Sequence, residues 1–193
     1  MGWVAVTLAL LLLTVSVYAW RQRRRLVQLQ VRLADIERRA EKELKTDHLT
    51  GLPNRAALER WLQQSPPSSG LLVVCDLDNF KELNDRYGHL VGDEILRDVA
   101  QLIRSSIRAE DWAFRWGGDE FVVCFQTDNR LLVEGRMRAL ERRLADFRLR
   151  NRGPVPLRLS WGVARFSPAL SPQQCLQEAD ERMLEAKRQR RLT

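Results

Sequence analysis

Two stretches of this sequence carry residue types that do chemistry. In Val74-Cys75-Asp76-Leu77-Asp78-Asn79-Phe80-Lys81 an apolar run ends abruptly in carboxylates and a lysine. Open α/β sheets place their ligands at strand ends. A carboxylate there, ahead of a helix start, can hold Mg2+ while backbone N–H groups and Lys81 meet phosphate. Taken alone, Asp-x-Asp after a strand also serves as a turn or helix cap. The second stretch is Arg115-Trp116-Gly117-Gly118-Asp119-Glu120-Phe121. Its glycines let the backbone turn tightly and approach a ligand closely. Two consecutive acids at such a tip repel each other, which favours a bound cation. If this turn lies beside the strand that ends at Asp76, then Asp76, Asp119 and Glu120 converge. That cluster can hold one or two Mg2+ ions, which activate a hydroxyl and stabilise phosphoryl transfer.

Elements able to position these residues follow from the apolar pattern. A helix is expected over 54–64, then a loop rich in Pro and Ser, then a continuous apolar strand at 71–75 suited to a buried central position. A short helix at 79–86 and a longer one at 92–107 follow; the longer one carries Ile95, Val99, Leu102 and Ile103 on one face. Runs at 112–116 and 120–125 flank the Gly-Gly turn as a β-hairpin. A charged helix at 129–150, a strand at 156–165 and a last helix at 172–190 complete an α/β body with a mixed sheet. Cys75, Cys124 and Cys175 lack metal-ligand spacing and read as core thiols.

The 32 Lys and Arg against 25 Asp and Glu give a net charge of +7, distributed unevenly. Residues 1–20 carry no charge, 21–46 carry nine basic and four acidic residues, and 47–186 carry 19 basic and 21 acidic. The basic excess therefore belongs to a linker and a tail, which argues against a nucleic-acid binder. Residues 3–20 are apolar enough to span a bilayer, with Trp3 at one end and Tyr18 and Trp20 at the other. The basic run Arg21-Gln22-Arg23-Arg24-Arg25 keeps the following chain in the cytoplasm. A cleaved leader fits less well, because the positive charge follows the apolar run. Leu26, Leu29, Leu33, Ile36 and Ala40 repeat at heptad spacing, as a short coiled-coil seam or as one face of a solvated helix. The expected organisation is an anchor at 1–20, a basic helical linker at 21–46 and a catalytic domain at 47–193. That predicts a single-pass membrane protein with residues 47–193 on the cytoplasmic side.

Gly117-Gly118-Asp119-Glu120-Phe121 is an intact GGDEF signature, and residues 47–193 resemble the diguanylate cyclase family. Asp47-His48-Leu49-Thr50-Gly51-Leu52-Pro53-Asn54-Arg55 is similar to that family's opening segment. Asp76 to Lys81, Asn84-Asp85, Tyr87-Gly88-His89 and Gly92-Asp93 resemble its metal and guanine region. Ser160-Trp161-Gly162-Val163-Ala164, Ala179-Asp180 and Ala186-Lys187 resemble its closing motifs. The resemblance implies a nucleotide-cyclase or polymerase-palm-like sheet surrounded by helices, preceded here by one transmembrane helix and a short helical linker.

It also implies that two GTP molecules condense to cyclic di-GMP where two such domains meet as a homodimer. By matching position, Asp76, the Leu77 carbonyl, Asp119 and Glu120 would bind Mg2+, or Mn2+ in its place. Asp119 would help deprotonate the 3′-hydroxyl, and Lys81, Lys187 and Arg191 would meet phosphates. Asn84 and Asp93 would read guanine, with Phe80 and His89 beside them. Arg108 and Asp111 match an Arg-x-x-Asp product-inhibition site, and a silent GTP or cyclic di-GMP receptor is the alternative function. Trp161 stands where a smaller aliphatic residue is usual, Leu184 where Tyr is common, and Arg190-Arg191-Leu192 replaces a closing Gly-Arg-Asn.

Overall fold

Every residue of the strand Gly70–Leu77 is buried, and the rest of the catalytic region is arranged around it. The computed structural model describes residues 20–33, 45–64, 69–149, 153–167 and 171–191, with Pro172 and Arg191 described by backbone alone. The chain divides into two units, Met1–Leu44 and Lys45–Thr193. In the first, residues 20–33 form a helix, α1, whose Leu26, Leu29 and Leu33 are exposed and whose Arg24 guanidinium lies 4.2 Å from the Trp20 ring centre. The anchor expected over 1–20 falls outside the described residues save for Trp20, and so do Ile36 and Ala40 of the seam. Among the described residues no helix is long and apolar enough to cross a membrane.

In chain order the second unit holds α2 (Arg55–Gln63), β1 (Gly70–Leu77), α3 (Phe80–Tyr87), α4 (His89–Ser106), β2 (Trp112–Arg115), β3 (Glu120–Phe125), α5 (Arg130–Ala145), β4 (Arg148–Leu149), β5 (Gly153–Pro154), β6 (Leu159–Phe166) and α6 (Pro172–Arg191). The main sheet runs β2-β3-β1-β6, with every pairing antiparallel. The mixed character expected from sequence reduces to one isolated parallel bridge between Asn54 and Arg115.

Alternation along β1 decides what each face meets. Leu71, Val73 and Cys75 face a core shared with Ile95, Val99 and Ile103 of α4 and with Val133, Met137 and Leu140 of α5. Leu72 and Val74 face Leu58 and Leu62 of α2 and Cys175, Ala179 and Met183 of α6. The next residue on that second face is Asp76, so a carboxylate appears where the apolar cover stops. Gly162 on β6 lets α6 lie directly on the sheet, since a Cβ there would stand 2.1 Å from the Ala179 carbonyl oxygen. The three cysteines are free and buried, and burial pushes the Cys75 thiol up to about 12.

Three segments differ from the pattern-based expectation. Helix α4 begins at His89 rather than at 92, because Gly88, at φ +86°, provides the turn that starts it. This places Asp93 inside the helix, not at its cap. The charged helix stops at Ala145 rather than running to 150, because Phe147 turns into the core and a small hairpin, β4–β5, follows. Pro154 and Pro156 lack the N–H that a central strand donates, so β6 starts at Leu159 instead of 156.

Candidate functional site

At the end of β1, Asp76 stands opposite Glu120 of β3 on one side and Ser160 of β6 on the other. Directly paired residues of an antiparallel ladder share a face, so the Asp76 and Glu120 carboxylates project together. The Leu77 N–H donates to the Asp119 carbonyl at 3.2 Å, which ties the turn tip to the same strand end. Asp76 and Glu120 thus meet as expected, while Asp119 is tied to the same strand end through its main chain. Burial raises the Asp76 carboxyl above its ordinary value; the Lys187 hydrogen bond opposes this, and the nearby Asp119 and Asp78 charges add to it. Glu120 is raised by burial first, then by the charges of Asp76, Asp119 and Asp180. Lys187, on α6, holds Asp76 Oδ1 through its Nζ at 2.5 Å.

The Gly-Gly turn is fastened from behind by Arg115. Its Nε donates to the Gly117 and Gly118 carbonyls at 3.2 Å each, and Nη2 donates to Gly118 at 2.7 Å. Nη1 bonds both oxygens of Asp47, at 2.9 and 3.1 Å. Burial alone would raise the Asp47 carboxyl, but the Thr50 hydroxyl and the Arg115 guanidinium outweigh it and hold it low. Gly117 leaves room for the Glu120 carboxylate, since a Cβ there would stand 2.7 Å from Oε2 and displace it.

A second group of predicted residues gathers between α3 and α4. Asn84 Oδ1 is buried and makes no hydrogen bond, and Gly92 leaves the space it occupies. A Cβ on Gly92 would lie 1.8 Å from that oxygen and 3.2 Å from the Phe80 ring. Asp93, half-buried, follows on α4. Lys81 and His89 are exposed, in the first turn of α3 and at the first residue of α4 respectively. Arg191 ends α6, its side chain outside the description.

Of the Arg108–Asp111 pair, Asp111 is buried at 8% exposure and fully engaged. It accepts from the Arg108 and Gln126 backbone N–H groups at 3.0 Å each and from Arg136 Nη1 at 2.9 Å. Arg108 projects its guanidinium outward, 3.7 Å from Glu110, beside a cavity of about 370 Å³ lined also by Arg104 and Trp112.

Sequence reasoning gave no role to Asp47, Arg115, Asp78, Ser160 or Arg190, all of which bond at the site. Asp47, Asp78, Arg115 and Ser160 lie within the quoted motifs, which signalled their neighbourhood but not their contacts. Among the described residues no group of three or more His, Cys, Asp or Glu side chains is arranged to hold a metal ion. What is present is an all-oxygen donor group, a facing carboxylate pair with Asp119 and main-chain carbonyls beside it. That chemistry fits a hard divalent cation such as Mg2+, which takes one or two carboxylates and completes its shell with water and substrate phosphate.

The protein family described as diguanylate cyclase, GGDEF domain, matches residues 44–193. Diguanylate cyclase DgcS of Shewanella oneidensis is 41% identical over 150 residues, covering 73% of this chain and 49% of that protein. Diguanylate cyclase DgcP of Pseudomonas aeruginosa is 35% identical over 150 residues, 74% of this chain and 22% of that one. The chain thus spans half or less of the length of these relatives. The crystal structure of the coiled coil and GGDEF domain of DgcB from Caulobacter crescentus, in complex with c-di-GMP, superposes with a TM-score of 0.74 at 26% identity. That match covers 86% of this chain and 94% of the other.

Proposed function

The chain belongs to the GGDEF diguanylate cyclase family, and from that premise we propose that it condenses two GTP molecules into cyclic di-GMP. In each half-reaction the 3′-hydroxyl oxygen of one GTP attacks the α-phosphorus of the other, and the bond to the β-phosphate breaks to release pyrophosphate. The observation that carries this reading is the Asp76–Glu120 pair. Two carboxylates face each other across a strand pairing; burial raises both, the Asp119 charge adds to each, and the cation that bonds Asp76 is a single lysine.

Asp76, Glu120, Asp119 and the Leu77 carbonyl would hold a divalent cation, Mg2+ or Mn2+. When bound, the cation polarises the phosphoryl oxygens and offsets charge at the reacting phosphorus. Asp119, at the turn tip, accepts the proton of the attacking hydroxyl. Lys187 meets phosphate oxygens from α6, joined by Lys81 and Arg191. The Asn84 amide and the Asp93 carboxylate read the guanine edge against the Phe80 ring, with His89 at the rim. The unpartnered Asn84 oxygen supports this pocket, because a buried amide left without a partner is costly unless a ligand supplies one. Arg108 takes the product as an inhibitor, while Asp111 shapes the turn that presents it.

Each domain holds one GTP, so turnover requires a homodimer; the exposed Leu26, Leu29 and Leu33 of α1 supply a seam for it. The uncharged, apolar residues 1–20 followed by a basic run support an inner-membrane anchor with the catalytic domain cytoplasmic.

The test is to supply the full chain with GTP and Mg2+ and quantify cyclic di-GMP and pyrophosphate. One product per two pyrophosphates is expected, and Asp119→Ala should abolish turnover while the protein still melts as a folded domain. GTP bound without turnover in the parent chain would make it a receptor instead. Full activity in Asp119→Ala would overturn the site assignment.

A further inference from the structure

Helix α6 reaches the site with two cations on one face. Lys187 and Arg190 are three residues apart, a spacing that stacks side chains along a helix. Opposite them lie two acids at the end of β1, Asp76 within the strand and Asp78 in the turn just after it. The pairs match in order. Lys187 Nζ bonds Asp76 Oδ1 at 2.5 Å, and Arg190 Nη1 lies 3.5 Å from Asp78 Oδ2.

Asp78 is held as a structural group. Its Oδ1 accepts from the Ser160 hydroxyl at 2.7 Å, and its N–H donates to the Arg158 carbonyl at 3.0 Å. Oδ2 is buried without a hydrogen bond, so the Arg190 guanidinium is the charge that balances it. Arg190 also donates to the Leu159 carbonyl at 2.9 Å through Nη1 and reaches Glu141 of α5 through Nη2. One guanidinium thereby fastens the end of α6 to the end of β1, the start of β6 and the middle of α5. Where the resemblance leads one to expect a glycine, which ends helices, Arg190 continues α6 to Arg191.

We infer that Arg190 is a positioning residue for the nucleotide phosphates: by occupying Asp78 and Glu141 it fixes the axial place and rotation of α6 that present Lys187 at the Asp76 carboxylate. The inference rests on the cyclase reading above. Without Arg190, Asp78 keeps an unbalanced buried charge two residues from Asp76. Lys187 is then the nearest cation on α6 and is drawn between the two acids. A displacement of about 1 Å at a group that meets substrate can cost up to 100-fold.

The experiment measures equilibrium binding of a fluorescent GTP analogue with Mg2+, together with kcat and KM for GTP. It uses the full chain, Arg190→Ala, Arg190→Lys, Lys187→Ala and the Arg190→Ala/Lys187→Ala pair. Arg190→Ala should weaken GTP binding and raise KM by about tenfold with a smaller change in kcat, and Arg190→Lys should recover part of it. In the Lys187→Ala background the Arg190 substitution should add less than about twofold, because its effect passes through Lys187. Undiminished GTP affinity in Arg190→Ala, or an equal loss with and without Lys187, would overturn the inference. If Arg190→Ala fails to fold, Asp78→Asn, which keeps the volume and removes the charge, must show the same dependence on Lys187, and its absence overturns the inference too. A parent chain that binds no GTP would instead overturn the cyclase reading.

Discussion

Replacing Gly92 by alanine separates nucleotide recognition from stability. Gly92 is the fourth residue of α4 and is buried. An added Cβ would stand 1.8 Å from Asn84 Oδ1, where ordinary contact begins at 3.4 Å. The main obstacle is the far end of one flexible side chain, so the amide swings away by roughly 1.6 Å, the Phe80 ring at 3.2 Å gives slightly, and the helix backbone stays in place. Alanine is favoured over glycine in a helix interior by about 0.8–1 kcal/mol. The variant should therefore melt within a few degrees of the parent chain. GTP binding should suffer, because a guanine donor enters the pocket and finds its acceptor displaced. A buried polar group left unpaired costs about 1–3 kcal/mol, which is about 5- to 150-fold in affinity. Titration calorimetry with GTP and Mg2+ reads this directly. Inosine triphosphate, which lacks the exocyclic amine of guanine, provides the control. If the Asn84 oxygen accepts from that amine, Gly92→Ala should lower affinity for GTP more than for the inosine nucleotide. Undiminished GTP affinity, or an equal loss for both nucleotides, would refute the placement of the base between α3 and α4.

Two further outcomes follow from the carboxylates and the arginine that braces their turn. Arg115→Ala removes every side-chain bond that fastens the Gly117–Gly118 turn to Asp47, so turnover should fall at least tenfold and stability by about 1–3 kcal/mol near neutral pH. The Asp47 carboxyl is held low in the folded chain, so its stabilisation is present above its unfolded value and is lost as pH falls through the lower folded one. The stability gap between parent and Arg115→Ala should therefore close in acid, and a gap independent of pH in chemical denaturation would show that the ion pair is not its source. Asp76 and Glu120 behave with opposite sign: their folded carboxyls are raised, so they destabilise the fold above that range, and acidification relieves this while it displaces a bound cation. Cation affinity measured without nucleotide should decline at a pH above the ordinary carboxylate range. Because Lys187 lowers both carboxyls, Lys187→Ala should move that decline to higher pH, and an unmoved profile would dismiss the coupling.

What the sequence made legible was periodicity and local punctuation. The run Leu71–Cys75 announced a buried central strand, and Gly117-Gly118 announced the hairpin that sets Glu120 beside Asp76. Both follow from rules that act over a few residues. The end of α5 was misplaced because its charged surface pattern continues past Ala145, while the reason to stop is tertiary: Phe147 is drawn into the core. The hairpin β4–β5 was missed because each of its strands has only two residues, Arg148–Leu149 and Gly153–Pro154, too few for any alternation to show. The start of α4 was placed late because Gly88 and His89 carry no apolar periodicity.

The contacts that were illegible share one property: each joins charges far apart in the chain. Asp47 and Arg115 are 68 residues apart, Asp76 and Lys187 are 111, and Glu141 and Arg190 are 49. Nothing local distinguishes these arginines from the many solvated ones in this basic chain. The folded site nevertheless requires them. At this strand end burial and the neighbouring acids raise the Asp76 and Glu120 carboxyls, which costs stability at neutral pH. On the proposed reading, Asp76, Asp119 and Glu120 cannot be exchanged for neutral residues without losing the cation site. The cost must therefore be offset by cations that do not themselves occupy the reacting positions. Arg115 does this by holding the turn's carbonyls from behind, and Arg190 by engaging Asp78 and Glu141, away from the Asp76–Glu120 pair. Lys187 alone touches a proposed cation ligand, so among the described cations it is the one placed to exchange its carboxylate for phosphate when substrate and metal arrive. Geometry thus assigns the basic residues two kinds of work, bracing and binding, which their identity in the sequence does not distinguish.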